Sequence, residues 1–145
     1  MKGDFVPDAD HVARLCGGSH IREDGSVAAT AFMLRPGETY LSVNWLEHLG
    51  LVDRASQIAE IRRVLSSKRS MGVTAKISVL NVGAIRAIVL RDRQGRSELT
   101  VLHEPEIEPG RPQDPSHCGI YGVLDDDGST AELITRAILE LHPVR

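Results

Sequence analysis

The segment Asp114-Pro-Ser-His117-Cys118-Gly-Ile-Tyr121-Gly122 brings a carboxylate, an imidazole and a thiol close together along the chain. An imidazole with a carboxylate to orient it is the smallest unit that can do general acid–base work near neutral pH. Asp114 lies three residues before His117. If a strand begins at Ser116, alternate side chains take opposite faces. Cys118, Ile120 and Leu124, with Gly122, then share one face, and His117, Tyr121 and Val123, with Gly119, share the other. The first face is the more apolar and is expected to be core. His117 is therefore expected at the strand entry, pointing away from that core, with open space over Gly119 and Asp114 accepting a proton from the ring. The same pair is also a common structural one that ties a loop to a strand.

A second polar cluster, Arg35, Glu38 and Ser42, brackets the segment RPGETYLS. Placed near His117, Glu38 and Arg35 would assist it; left alone, they are the solvated charges of a turn. Ser42 and Tyr121 are the ligand-binding candidates on the face away from the core. Zinc takes Cys and His in fours, and Cys16, His20, His103, His117 and Cys118 supply the types. Adjacent His117 and Cys118 would point to opposite faces, however, and Cys16 and His20 straddle Gly17-Gly18. No metal and no cofactor are assigned. Cys118, facing the core, is expected to be an inert thiol.

Charge is distributed unevenly. Residues 54–96 carry ten basic and two acidic side chains, whereas the segments before and after are acidic, and the whole chain sums to −3. Arg62, Arg63, Lys68 and Arg69 are the candidates for contact with nucleic acid or an acidic partner. Alternatively, the three blocks neutralise one another when the chain folds back. The acidic balance opposes strong non-specific nucleic-acid binding.

Elements must position these residues. Residues 1–9 read as a frayed lead-in. Asp8 to Cys16 reads as a short helix stopped by Gly17-Gly18. Val27 to Leu34 and Thr39 to Val43 read as two strands of a hairpin turned by Arg35-Pro-Gly-Glu38. Asn44 is a natural cap for a short helix that Gly50 ends, and Asp53 caps a longer helix to about Ser67 with an apolar stripe of Ile58, Ile61, Val64 and Leu65. Val73 to Val82 alternates at first, predicting a strand with one wet face at its start. Gly83 to Asp92 reads as a short helix running into a strand, RQGR as a turn, and Ser97 to Glu104 as a strand. The four prolines of residues 105–115 exclude regular structure there. After the last strand, Ser129 and Glu132 form a capping box for a helix to about Leu141.

The 145 residues, 41% hydrophobic and 26% charged, suit one soluble domain spanning 1–145. Aromatics make up only 3%, which leaves few platforms for stacking single-stranded nucleic acid. Two cysteines make no disulfide framework, the opening MKGDFVPDAD has no apolar run after its lysine, and no segment is long enough to cross a bilayer. A cytoplasmic setting and no membrane partner are expected. Adjacent strands mixed with helices, without regular alternation, predict an α+β domain. It should have a largely antiparallel sheet, a long central helix and a C-terminal amphipathic helix packed on it. No glycine-rich phosphate loop is present.

The stretches AFMLRPGETYLSVNWLE and PQDPSHCGIYG resemble those of a loose group of small, uncharacterised bacterial proteins. That group has an early Phe, Glu and Leu-Ser pattern and a late Asp/Asn-Pro-x-His pattern. The resemblance covers portions 27–47 and 112–122. It implies no activity, and it singles out Phe32, Arg35, Glu38, Ser42, Asp114 and His117. These readings favour a non-enzymatic accessory or binding module of a bacterial cytoplasmic system that recognises a protein or small-molecule ligand. The alternative is a small hydrolase or transferase using His117 with Asp114, Glu38 and Arg35. The third is nucleic-acid binding through the basic block.

Overall fold

Val12, Ala13, Val79 and Leu80 are consecutive pairs of buried residues on neighbouring strands. A strand that buries both faces has layers on both sides, and its sequence loses the alternation that marks a half-exposed one. The computed structural model, which describes residues 1–92 and 98–145, has this three-layer arrangement. The strands are β1 (His11–Cys16), β2 (Leu41–Trp45), β3 (Lys76–Asn81), β4 (Thr100–His103), β5 (His117–Tyr121) and β6 (Glu140–Pro143). They form one sheet in the order β4-β5-β2-β1-β3-β6, and every neighbouring pair is antiparallel. The helices are α1 (Arg54–Lys68), α2 (Val82–Asp92) and α3 (Gly128–Arg136). The predicted α+β class with an antiparallel sheet is the class observed.

One face of the sheet, through Ala13, Ile77 and Val79, packs against Ile58, Ile61 and Leu65 of α1. The stripe read from the sequence thus faces the sheet, and Asp53 caps α1 as expected, its side chain accepting from the Ser56 N–H. The other face, through Val12, Leu41, Val43, Leu80 and Ile120, packs against Ile85 and Val89 of α2, Ile134 of α3 and Phe32.

Several expectations are corrected. The segment predicted as a helix over 8–16 is β1, a central strand apolar on both faces, so its periodicity carried no helix information. Val27–Leu34 is not a strand: Ala29–Phe32 makes a single 3-10 turn, and β2 pairs with β1 and β5 instead of closing a hairpin. Asn44 lies inside β2 and caps nothing; only Glu47–Leu49 turns helically, ended by Gly50 at a left-handed φ of 71°. β3 has no wet face at Ser78, which is fully buried and donates to the Arg14 carbonyl. The segment 82–92 is helical throughout, with the Asn81 side chain accepting from the Ala84 N–H at its start. The turn read over RQGR lies outside the described residues.

At the far end, α3 is capped by Asp127, whose carboxylate accepts from the Thr130 N–H, rather than by Ser129 and Glu132. It stops at Arg136, and residues 140–143 leave it to become β6 on the edge beside β3. Leu141 is accordingly exposed. Nor is the lead-in frayed: Gly3 donates to the His103 carbonyl, Val6 to the Val101 carbonyl, and His103 to the Asp4 carbonyl. The first residues therefore run along the outer edge of β4.

Three cations of the central basic block are paired with the acidic flanks. Arg54 pairs with Glu140, Arg86 with Asp8 and Glu98, and Lys68 with Glu106 and Asp114. A buried cation, Arg14, lies against Phe32 and donates from Nε to the Ala31 carbonyl and from Nη1 to the Ser42 carbonyl. Burial pulls its guanidinium below the ordinary arginine range; the two carbonyls and the ring offset part of that cost.

Candidate functional site

Register fixes which side chains of the last strand can meet. β2 and β5 pair Asn44 with His117, Ser42 with Gly119, Val43 with Cys118 and Leu41 with Ile120. Partners across a ladder share a face. Cys118 and Ile120 therefore enter the core, as the alternation predicted, and His117 and Gly119 take the opposite face. The alternation breaks at Gly122, whose φ of 106° ends the strand. Past that point Val123 joins the core and Leu124 is exposed, the reverse of their predicted sides.

His117 does not open to solvent. Only 3% of it is exposed. Its Nδ1 lies 2.8 Å from the Glu104 carbonyl oxygen; because a carbonyl only accepts, Nδ1 carries the proton. The nearest carboxylate oxygen, Oε2 of Glu106, is 4.0 Å from the same nitrogen. The space over Gly119 is filled by the Tyr40 ring, which stands edge-on to His117 at 6.0 Å between centroids and packs on Tyr121 at 5.0 Å.

Asp114 does not orient the imidazole. Its carboxylate is completely buried and accepts from Asn44 Nδ2 at 2.7 Å and from Lys68 Nζ at 2.8 Å. Its main-chain carbonyl accepts from the His117 N–H at 3.2 Å. Lys68 also donates to Glu106 Oε1 at 2.5 Å, and Asn44 Nδ2 to Ser116 Oγ at 3.0 Å. This is a closed polar stack: the end of α1, the middle of the sheet and the proline loop are joined through one ammonium and two carboxylates. Burial alone would lower the Lys68 ammonium, but its bonds to Asp114 and Glu106 outweigh that and raise it. Burial alone would raise the Glu106 carboxyl; Lys68 and the nearby His117 reverse the direction and hold it below its ordinary value.

Arg35 and Glu38 do not reach this stack. Glu38 Oε1 accepts from the Arg35 N–H at 2.7 Å, and the two side chains pair within their own turn. Ser42 is half-buried and its carbonyl holds Arg14. Tyr121, also half-buried, has its hydroxyl pushed up by burial and by Glu104. Both cysteines are free and buried. Burial pushes the Cys118 thiol up to about 12 and raises that of Cys16 as well. Among the described residues no group of three or more His, Cys, Asp or Glu side chains is arranged to hold a metal ion, and no helix is long and apolar enough to cross a membrane.

A concavity lies against this stack, not over His117. It encloses about 800 Å³ between Met1, Lys2, Lys68 and the proline loop, where Pro105, Ile107, Arg111 and Pro112 line it. Ile107 is 60% exposed there. Glu106 and Glu108 also line it. Sequence reading missed this site because its apolar members are spread along an irregular loop; the four prolines were the available signal.

Of the basic candidates, Arg62, Arg63 and Arg69 line a second cleft, of about 390 Å³. Lys68 turns away from them into the stack. An acid–base pair that sequence reading did not single out, His11 Nδ1 with Glu47 Oε2 at 2.6 Å, borders a third depression, of about 450 Å³, with Arg54 and Glu140.

In comparisons with protein-family models, curated proteins and solved structures, nothing matches this chain.

Proposed function

We propose that the protein is a non-enzymatic binding module of a bacterial cytoplasmic system. It takes an amphipathic ligand, a small molecule or a segment of a partner protein, into the cleft of the proline loop. The observation that carries this reading is the cleft of about 800 Å³, which falls within the size range of ligand sites. Its walls combine exposed aliphatic surface at Ile107 and the prolines with charges of both signs at Lys68, Glu106, Glu108 and Arg111. Such walls suit a ligand with an apolar body and polar ends. The prolines hold the loop in few conformations, so little ordering entropy is lost on binding. The titratable groups beneath it support the same reading. Lys68, Asp114 and His117 are engaged in fixing the loop. The free cysteines suit a reducing compartment.

The test is titration of 15N-labelled protein with a panel of amphipathic peptides and small acids, read by amide chemical shifts. Shifts should gather at residues 105–112 and Lys68, and Ile107→Glu should remove them. Ligands that bind but shift only other regions would refute the assignment.

A further inference from the structure

The second cleft lies at the C-terminal end of α1. Arg62, Arg63 and Ser66 on the last turns of α1, Arg69 and Ser70 on the chain just past it, and Arg145 are among its lining residues. Four arginines thus line about 390 Å³, and among the described residues no Asp or Glu does. One cation near a helix C-terminus is ordinary, because it answers the partial negative charge of the last carbonyls. Four in one concavity repel one another, and stability alone gives no reason to collect them.

The arginines are also held in place. Arg62 Nε donates to the Pro143 carbonyl at 3.0 Å and Arg145 Nη2 to the Met71 carbonyl at 2.8 Å. Arg63 is fixed by two bonds to Glu60, one turn back along α1. Each guanidinium has five N–H donors, so these contacts orient the side chains and leave most donors unused. The N–H of Arg69 closes α1 on the Leu65 carbonyl, and its side chain makes no hydrogen bond or ion pair among the described residues.

We infer that this cleft binds a compact polyphosphate group, such as the diphosphate or triphosphate of a small molecule. Arginine forks match phosphate oxygens in pairs, and charge-assisted bonds of this type are the strong ones. The hydroxyl of Ser70 adds a neutral donor at the edge; that of Ser66 is engaged with the Arg63 carbonyl at 2.9 Å. A compact ligand fits better than a nucleic acid. The positive surface is a pocket instead of a track, the chain sums to −3, and long polyanions need an extended basic surface.

Calorimetric titration with inorganic pyrophosphate and with a nucleoside triphosphate at low salt tests this. Both should bind one site and compete with each other. Binding to both should fall about tenfold or more in Arg69→Gln, a change that removes no internal bond and so leaves the fold intact. Arg62→Gln should act in the same direction. Arg111→Gln, in the other cleft, should leave the affinity unchanged. Binding of the nucleoside triphosphate without pyrophosphate would place recognition elsewhere and overturn the proposal. So would unaltered affinity in Arg69→Gln, or binding of a short single-stranded oligonucleotide that pyrophosphate fails to displace.

Discussion

Lys68 Nζ, on the last turn of α1, donates to the carboxylate of Asp114 at 2.8 Å, and that carboxylate has no exposed surface. A helix end and a proline loop that are far apart in sequence are thereby fastened through the interior. Removing one partner leaves the other charge buried without compensation. Asp114→Ala should lower the unfolding free energy by about 3–5 kcal/mol, measured by urea denaturation. Combining Asp114→Leu with Lys68→Met should cost clearly less than the two single changes added together; strict additivity would mean that the pair is not coupled.

The same stack sets a pH window. Glu106 is held below its ordinary value in the folded state, so its contribution is complete above the unfolded value of about 4.3 and is lost as pH falls through the lower folded value. Lys68 is held above its ordinary value, so its contribution is complete below about 10.4 and is lost as pH rises through the higher folded value. The joint contribution of Lys68 and Glu106 is expected to be flat between these limits and to fall outside them; total stability declines earlier on the alkaline side, because the Cys118 thiol ionises in the unfolded chain from about 8.5 and stays protonated in the fold. In Lys68→Met both of these contributions should shrink together. Unfolding free energies measured across pH would show this; unchanged acid and alkaline limbs in the variant would contradict it.

Cys118 is pushed up to about 12 by burial, and Cys16 moves the same way. The reactive species is the thiolate. Neither residue should be alkylated by iodoacetamide in the folded protein at pH 8, while both should react rapidly in denaturant. Mass spectrometry of the labelled peptides reads this directly, and fast native labelling of Cys118 would show that β5 opens.

Gly119 is required by its neighbour. A methyl group at this position would sit 2.5 Å from Cδ1 and 2.7 Å from Cγ of Tyr40. Gly119→Ala should therefore cost about 1–3 kcal/mol through overpacking. The penalty should shrink in a Tyr40→Ala background, because the ring that creates it is gone. A double-mutant cycle in urea measures the coupling, and a penalty of equal size in both backgrounds would rule out this contact as the cause.

The parts of the fold legible in the sequence were those with one wet side and clean ends. α1 combines a cap at Asp53 with a single apolar stripe, and both were read correctly. β1 could not be read because Val12, Ala13, Arg14 and Cys16 are all buried, three of them apolar and one a cation held by carbonyls. The stop of α3 at Arg136 was hidden because Ile138 and Leu141 continue a helical period, yet the chain leaves the helix to pair with β3. At the site, spacing drew attention to His117 and Asp114. The residue that ties Asp114 to α1, Lys68, lies 46 positions before it, and only the register of β2 with β5 brings Asn44 to the same place.

The main-chain bonds from Gly3 and Val6 to β4 have a further consequence. An outer strand with unsatisfied amides invites a second molecule to add to it. Here the chain's own first residues occupy that rim, while the opposite one, β6, is only four residues long and ends at Pro143. Deleting residues 1–6 would leave β4 bare. The shortened protein should self-associate with rising concentration, detected by light scattering, while the intact chain keeps a constant particle size. The opening segment thus works as a built-in guard against sheet-to-sheet polymerisation.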